Sequence, residues 1–302
     1  MTDWIAIDWG TSNLRVWLIG PDGAIRDQRA SDQGMGGLDR DGFEPALLAL
    51  IGDWLPADRV TPALACGMVG ARQGWVEAPY AAVPCKPAQT GGKAAPVRDP
   101  RMALRILPGL YQTSPRADVM RGEETQVAGY LAAHPNFDGV ICLPGTHTKW
   151  VHVSAGEVVS FQTVMTGELF ALLTGQSVLR HSVQGDGWDE AAFDAGVDDT
   201  LSRPAGLTGW LFELRAADLV QGQPAATARA RLSGLLIGAE LAGTKPYWLG
   251  QPVALIGDPA FAALYARALQ AQGVQTATAE AQPMTLAGLA AAYYANTGGG
   301  NG

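Results

Sequence analysis

Trp4-Ile5-Ala6-Ile7-Asp8-Trp9-Gly10-Thr11-Ser12-Asn13-Leu14-Arg15-Val16-Trp17-Leu18 reads as strand, tight turn, strand, and the phrase returns as Val140-Ile141-Cys142-Leu143-Pro144-Gly145-Thr146-His147-Thr148-Lys149-Trp150-Val151-His152-Val153. The two glycines, Gly10 and Gly145, stand 135 positions apart. In each copy a β-rich run enters Gly-Thr and leaves through a second β-rich run. That makes a hairpin whose tip offers backbone N–H groups and hydroxyls, with no bulky side chain at the glycine. Such a tip can cradle phosphate, through Gly10, Thr11, Ser12 and Asn13 in the first copy and Gly145, Thr146, His147 and Thr148 in the second. Asp8, two residues before Gly10, places a carboxylate where it could hold Mg²⁺ beside the phosphates, and Leu143 fills the equivalent place in the second copy. One Gly-Thr hairpin alone is ordinary turn structure. The pairing, the spacing and the lone acid favour two hairpins clamping the β- and γ-phosphates of a nucleotide.

The chain has 302 residues, enough for two domains that each bury a core. Hydrophobic residues make up 47% and charged residues 17%, a globular and not a disordered composition. A net charge of −8 with no basic run argues against nucleic acid or an anionic membrane as partner. Three cysteines, Cys66, Cys85 and Cys142, lack metal-ligand spacing, so free thiols in a reducing compartment are expected, with Cys66 and Cys142 in apolar strands of the core. No basic-then-apolar leader is evident and no apolar run approaches the ~20 residues of a membrane span, so a cytoplasmic protein is expected.

Ala24–Arg29 is expected to add a third strand, Phe43–Trp54 a helix and Ala63–Cys66 a further strand that breaks at Gly67. This is how a ribonuclease-H-like domain begins. From Gly67 to Gly109 the chain is rich in Gly and Pro and interleaved with Arg72, Trp75, Glu77, Tyr80 and Lys86, a long irregular stretch of the kind that carries function. A strand at Ala103–Leu107 and a helix from about Arg121 to His134 follow. After the second hairpin, Gly167–Arg180 reads as a helix with Leu169, Phe170, Leu172 and Leu173 toward a core. Further helices fit Asp189–Ala195, Pro204–Ala217 and Ala225–Leu241, then a strand at Pro252–Pro259, a helix to Gln272 and a last helix at Met284–Tyr294. Gly298–Gly302 reads as a flexible tail.

With these elements placed, the chain resembles the superfamily of acetate and sugar kinases, heat-shock ATPases and actin. Asp8-Trp9-Gly10-Thr11-Ser12 looks like its first phosphate motif, Pro144-Gly145-Thr146-His147-Thr148 like its second and Leu255-Ile256-Gly257 like its adenosine motif. Within it the chain is similar to the 2-dehydro-3-deoxygalactonokinase family. That likeness is carried by Ile7–Ser12, Gly67-Met68-Val69-Gly70 with Gly74-Trp75 and Pro79-Tyr80, Met120-Arg121-Gly122-Glu123-Glu124-Thr125-Gln126, and Leu143–Lys149. The resemblance implies an α/β fold of two ribonuclease-H-like domains around a nucleotide cleft, drawn here as 1–121 with the substrate loop and 122–302 for the nucleotide. It implies ATP and Mg²⁺ as cofactors and phosphorylation of a 2-keto-3-deoxy sugar acid in galactonate breakdown.

Phosphoryl transfer to an alcohol needs positioning, charge neutralisation and a carboxylate that accepts the hydroxyl proton. Glu123 or Glu124 is the expected base, since both follow Gly122 at a helix start where related kinases place an acid; Glu123, directly after the glycine, is preferred. Acids in a first turn also offset the helix dipole, which explains one glutamate better than two. A carboxylate substrate calls for paired donors. Arg72 is the leading cation, with Arg15 and Lys149 as others and Arg121 able to pair with a glutamate or a substrate acid. Trp75 and Tyr80 could wall the sugar, and His147 could donate to the γ-phosphate. Gly257 is followed by Asp258-Pro259 where many relatives have a further small residue, so an acid is expected near the nucleotide. The main rival is a phosphohydrolase resembling exopolyphosphatases, which tend to carry Gly-Gly-Gly second loops where this chain has Pro144-Gly145-Thr146. A non-catalytic sugar-acid sensor is the other; it would be expected to carry a DNA-binding extension, whereas the first strand begins at about Trp4. A homodimer is left open.

Overall fold

The Trp4–Leu18 phrase folds as β1 (Trp4–Trp9) and β2 (Leu14–Ile19), antiparallel, with Asp8 opposite Arg15. A computed structural model describes residues 2–297, so the expected tail at Gly298–Gly302 lies outside the described residues. The chain continues through β3 (Ile25–Ser31), α1 (Phe43–Ile51) and β4 (Thr61–Cys66). The irregular stretch holds only the two-residue β5 (Ala81–Ala82) and β6 (Lys93–Ala94), before β7 (Met102–Ile106), β8 (Leu110–Gln112), β9 (Asp118–Met120) and α2 (Glu123–Ala133).

The second copy of the phrase supplies β10 (Gly139–Leu143) and β11 (Thr148–Ser154), followed by β12 (Glu157–Val164). Helices α3 (Thr166–Gly175), α4 (Glu190–Ser202), α5 (Leu207–Gln221), α6 (Ala225–Gly243) and the short α7 (Lys245–Trp248) come next. The chain closes with β13 (Val253–Gly257), α8 (Pro259–Gln270), β14 (Thr276–Glu280), which sequence reading missed, and α9 (Ala281–Thr297).

The repeated phrase seeds two sheets of one design. The first runs β3-β2-β1-β4-β7-β6 and the second β12-β11-β10-β13-β14. In both, the first hairpin strand is central, its two successors lie to one side, and a later strand pairs parallel on the other, Asp8 beside Cys66 and Cys142 beside Leu255. This is the ribonuclease-H-like order, twice, as the α/β expectation requires. Alternation along β1 sends Ile5, Ile7 and Trp9 to a core with α1, and Trp4 and Ala6 to a second core with Leu289 and Ala292 of α9. Both faces are covered, so β1 is apolar almost throughout instead of alternating.

Contacts divide the chain into two units. The first takes the chain up to Asp138, Val153–Phe161 and the segment from Glu280 onward; the second takes Gly139–His152 and Gln162–Ala279. This corrects the division at residue 121: α2 and α9 both belong to the first unit. The physical reason is α2 lying on α9 with backbones in contact, where a Cβ on Gly129 would overlap the Met284 carbonyl and one on Gly288 the Thr125 carbonyl. In the second unit α6 is buried along most of its length between α4, α5 and the sheet. The expectation that α3 turns Leu169 and Leu172 inward is overturned, since both are exposed. All three cysteines are free, and Cys66 and Cys142 are buried. No helix among the described residues is long and apolar enough to cross a membrane.

Candidate active site

In the first unit the ends of β1 and β4 meet the start of α2. Gly67 and Gly122 both hold positive φ, +92° and +105°, and a Cβ on Gly67 would lie 2.7 Å from the Trp9 carbonyl. Only glycine fits there, and the fit places Cys66 within 4.0 Å of an Asp8 oxygen. Burial raises the Cys66 thiol well above its usual range, and the nearby charges of Asp8 and Glu124 raise it further. Asp8, Cys66 and Glu124 therefore form one electrostatic cluster.

The two glutamates have different environments. Glu124 is 2% exposed; its Oε2 accepts the Gly122 N–H at 2.7 Å and its Oε1 the Thr125 hydroxyl at 3.1 Å. Desolvation, then the charge of Glu123, pushes its pKa up to about 8. Glu123 is half-buried, with Oε2 accepting the Arg121 N–H at 3.1 Å. Because Glu124 keeps its proton in the native state up to about pH 8 while the unfolded chain releases it near 4.5, stability falls as pH rises across that window. We expect Glu124→Gln, which mimics the neutral acid, to flatten the fall in melting temperature between pH 5 and 8 by an amount worth several kcal/mol, about 1.4 per pH unit. Thermal melts of both proteins across pH 5–9 check this, and parallel curves would refute it.

Burial also raises Asp8, against the pull of Arg15, whose Nη1 donates to Oδ2 at 3.0 Å. The tip beside it is built to present donors. The carbonyls of Gly10, Thr11 and Asn13 accept inward bonds from the N–H groups of Met35, Gly36 and Gly10, each at 2.9 Å, and Trp9 Nε1 donates to the Gln33 carbonyl. With those acceptors turned in, the exposed Thr11, Ser12 and Asn13 offer a surface suited to an anion. The supporting Gln33–Gly37 turn was missed from sequence, although its three glycines were the available signal.

The Gly67–Gly109 loop separates the expected residues. Trp75 is a core residue, stacked on Phe43 at 6.0 Å and edge-on to Trp9 at 6.1 Å, which leaves it little surface to offer a sugar. Tyr80 is 38% exposed, with the Arg121 guanidinium 4.3 Å over its ring. Arg121 is itself buried; Nη2 donates to the Ala78 carbonyl at 2.8 Å, while Nε and Nη1 are sealed without partners. Arg72 is exposed. The other two cations are engaged, Arg15 with Asp8 and Lys149, buried, with Thr163 at 3.0 Å.

In the second unit Gly145 is half-buried and Thr146 and His147 are exposed at the hairpin tip. His147 Nε2 bonds Glu168, whose N–H donates to the Thr146 carbonyl at 3.0 Å. Thr148 is fully buried and its hydroxyl meets Tyr265 at 3.0 Å, so the expected phosphate contact from that side chain is corrected to an interior one. Gly257 is buried too, where a Cβ would stand 3.2 Å from the Pro144 carbonyl. Asp258 caps α8, accepting from the N–H groups of Ala260 and Phe261 at 2.9 and 3.3 Å, which accounts for the acid expected near a nucleotide.

Beside the tip lies a cavity of about 190 Å³ lined by Gly145, Phe170, Trp188, Arg229, Ser233 and Phe261 among others. Apolar and aromatic side chains make up most of its lining, the kind of wall that can take a flat ring. Arg229 lies 5.1 Å over the Phe170 ring at its edge. Of these residues, sequence reading placed only Gly145 at a binding site. Among the described residues no group of three or more His, Cys, Asp or Glu is arranged to hold a metal. Asp8 suits a Mg²⁺ that arrives with a nucleotide, because phosphates and water supply the other ligands.

The 2-keto-3-deoxy-galactonokinase family model matches residues 8–292. A Rhizobium meliloti (strain 1021) protein named "Probable 2-dehydro-3-deoxygalactonokinase DgoK1" is 42% identical over 295 residues, covering 95% of each chain. The Escherichia coli (strain K12) 2-dehydro-3-deoxygalactonokinase is 37% identical over 272 residues, covering 89% of this chain and 90% of its own. A crystal structure from Sinorhizobium meliloti bearing the same enzyme name superimposes with a TM-score of 0.89 at 42% identity, covering 97% of this chain and 99% of that one. With Asp8, both hairpin tips, the glutamate pair and the Gly67–Gly109 loop inside the matched span, the chain belongs to the 2-keto-3-deoxy-galactonokinase family.

Proposed function

We propose that the protein transfers the γ-phosphoryl group of ATP to 2-dehydro-3-deoxy-D-galactonate, giving the 6-phosphate, as a carbohydrate kinase of galactonate catabolism. The observation that carries this reading is the family match over residues 8–292, which spans every motif the reaction uses. Glu123 accepts the proton of the attacking hydroxyl. The donor-bearing tips at Gly10–Asn13 and Gly145–His147 hold phosphate oxygens, and the cavity between α3, α6 and α8 takes the base. Asp8 would hold Mg²⁺ through water, the ion supplying charge neutralisation on the phosphates.

Arg72 takes the substrate carboxylate, and Tyr80 faces the sugar. Arg121 fastens the loop to the start of α2 through the Ala78 carbonyl and the Tyr80 ring. Arg72→Ala is expected to raise KM for the sugar acid about tenfold or more, the scale of one charge-assisted contact, with KM for ATP unchanged. Trp75→Phe should lower the melting temperature and leave both KM values alone; a shifted sugar-acid KM would return Trp75 to the substrate site.

ADP release from Mg-ATP, with and without 2-dehydro-3-deoxy-D-galactonate and with its gluco epimer alongside, tests the whole reading. Release should depend on the galacto acid. Release without any sugar acid would instead make the protein a phosphohydrolase.

A further inference from the structure

Helix α6 is largely buried among apolar neighbours, yet Glu240 lies within it at 4% exposure. Its carboxylate gathers three elements. Trp150 Nε1 on β11 donates to Oε1 at 2.7 Å, Tyr265 on α8 donates to Oε2 at 2.8 Å, and the Thr166 hydroxyl at the start of α3 bonds the same group. All four partners of this network, Trp150, Tyr265, Thr166 and Thr148, are buried. Burial raises the Glu240 pKa to about 7, and the three donors pull against it.

Proton directions follow from donor chemistry. Indole can only donate, and when Glu240 is ionised the single Tyr265 proton goes to it. Thr148 Oγ1, 3.0 Å from the Tyr265 oxygen, must then be the donor in that pair. The chain of bonds thus reaches the residue that follows the Gly145-Thr146-His147 tip. A second branch reaches the tip through Thr166, because the next residue, Gly167, lies so close to the Gly145 carbonyl that a Cβ would overlap it, and the Glu168 N–H holds the Thr146 carbonyl. Gly145, Thr166, Gly167 and Tyr265 also line the base cavity. A leucine of similar volume would fill the space without desolvating a carboxylate, so packing alone does not account for Glu240.

We propose that Glu240 is a positioning residue for nucleotide binding, tying the second phosphate tip and the wall of the base cavity into one preformed site. The inference rests on the kinase reading. It predicts that disturbing the network weakens nucleotide binding while sparing the sugar acid, which a purely structural carboxylate would not do.

The test is calorimetric titration of wild type, Glu240→Gln and Tyr265→Phe with Mg-ADP and with the β,γ-imido analogue of ATP, together with steady-state KM values. Glutamine keeps the volume, but its amide N–H₂ must face Tyr265, which reverses the Tyr265–Thr148 proton direction. Tyr265→Phe cuts the link between Thr148 and the carboxylate, removing one of its donors while Glu240 itself stays in place. Each variant should bind nucleotide about tenfold more weakly, the double variant should be no worse than the poorer single, and KM for the sugar acid should stay put. Wild-type affinity in either folded variant overturns the proposal, even with a lowered melting temperature. A wild type that binds neither nucleotide overturns the kinase reading and this inference with it.

Discussion

Glu123→Gln is expected to lower kcat by about a thousandfold with KM for Mg-ATP little changed, whereas Glu124→Gln should stay within about tenfold of wild type. The difference lies in the environments of two adjacent carboxyls. A general base must be ionised at working pH and able to reach the acceptor hydroxyl. Glu124, buried, with its pKa pushed up to about 8 and both oxygens occupied by Gly122 and Thr125, is mostly protonated at neutral pH. Glutamine reproduces its neutral form. Glu123 stands half-buried on the first turn, and its own charge helps keep its neighbour protonated. The pH profile separates the two roles: a base at Glu124 would make kcat climb as pH rises through 8. Such a climb, or a near-inactive Glu124→Gln beside an active Glu123→Gln, would exchange the assignments.

The glutamate pair, the two hairpins and the order of elements were legible because each is written in contiguous residues. Asp8 through Arg15 carries its own strand, turn and strand, and Cys66-Gly67 marks its strand end with a glycine of positive φ. What failed was whatever depends on chain segments meeting. Trp75 looked like a loop aromatic, and only Phe43 and Trp9 arriving from elsewhere make it core. Asp258 looked like an acid aimed at a nucleotide, although the Asp-Pro step at a helix start has a capping meaning that local rules already contain. Thr148 belongs to a phosphate motif by sequence, but strand alternation after the turn sends its hydroxyl inward to Tyr265. Phe170, Trp188, Arg229 and Phe261 come from separate segments and share no pattern that would announce a cavity. Glu240 is the one acid in the Ala- and Leu-rich α6, and none of its partners lies near it in sequence.

Gly288→Ala should cost the protein stability even though alanine is the better helix former. In an exposed helix the exchange would add up to about 1 kcal/mol. Gly209 of α5, with nothing within 4 Å of its Cβ position, is the place to see that gain. At Gly288 the new methyl would overlap the Thr125 carbonyl, a backbone atom in the first turn of α2 that cannot rotate away. Overpacking of this kind costs about 1–3 kcal/mol, so the clash outweighs the propensity gain unless the helices part. Parting them disturbs α9, whose Leu289 and Ala292 pack beneath Trp4 and Ala6, and moves the turn that carries Glu123. The expected result is a melting temperature lower by roughly 3–8 °C and a kcat reduced as much as about a hundredfold, the scale of a ~1 Å displacement of a reacting group. Gly209→Ala, melted and assayed in parallel, should be slightly more stable and fully active. A Gly288→Ala protein matching it on both measures would mean that α2 is held by something other than its contact with α9.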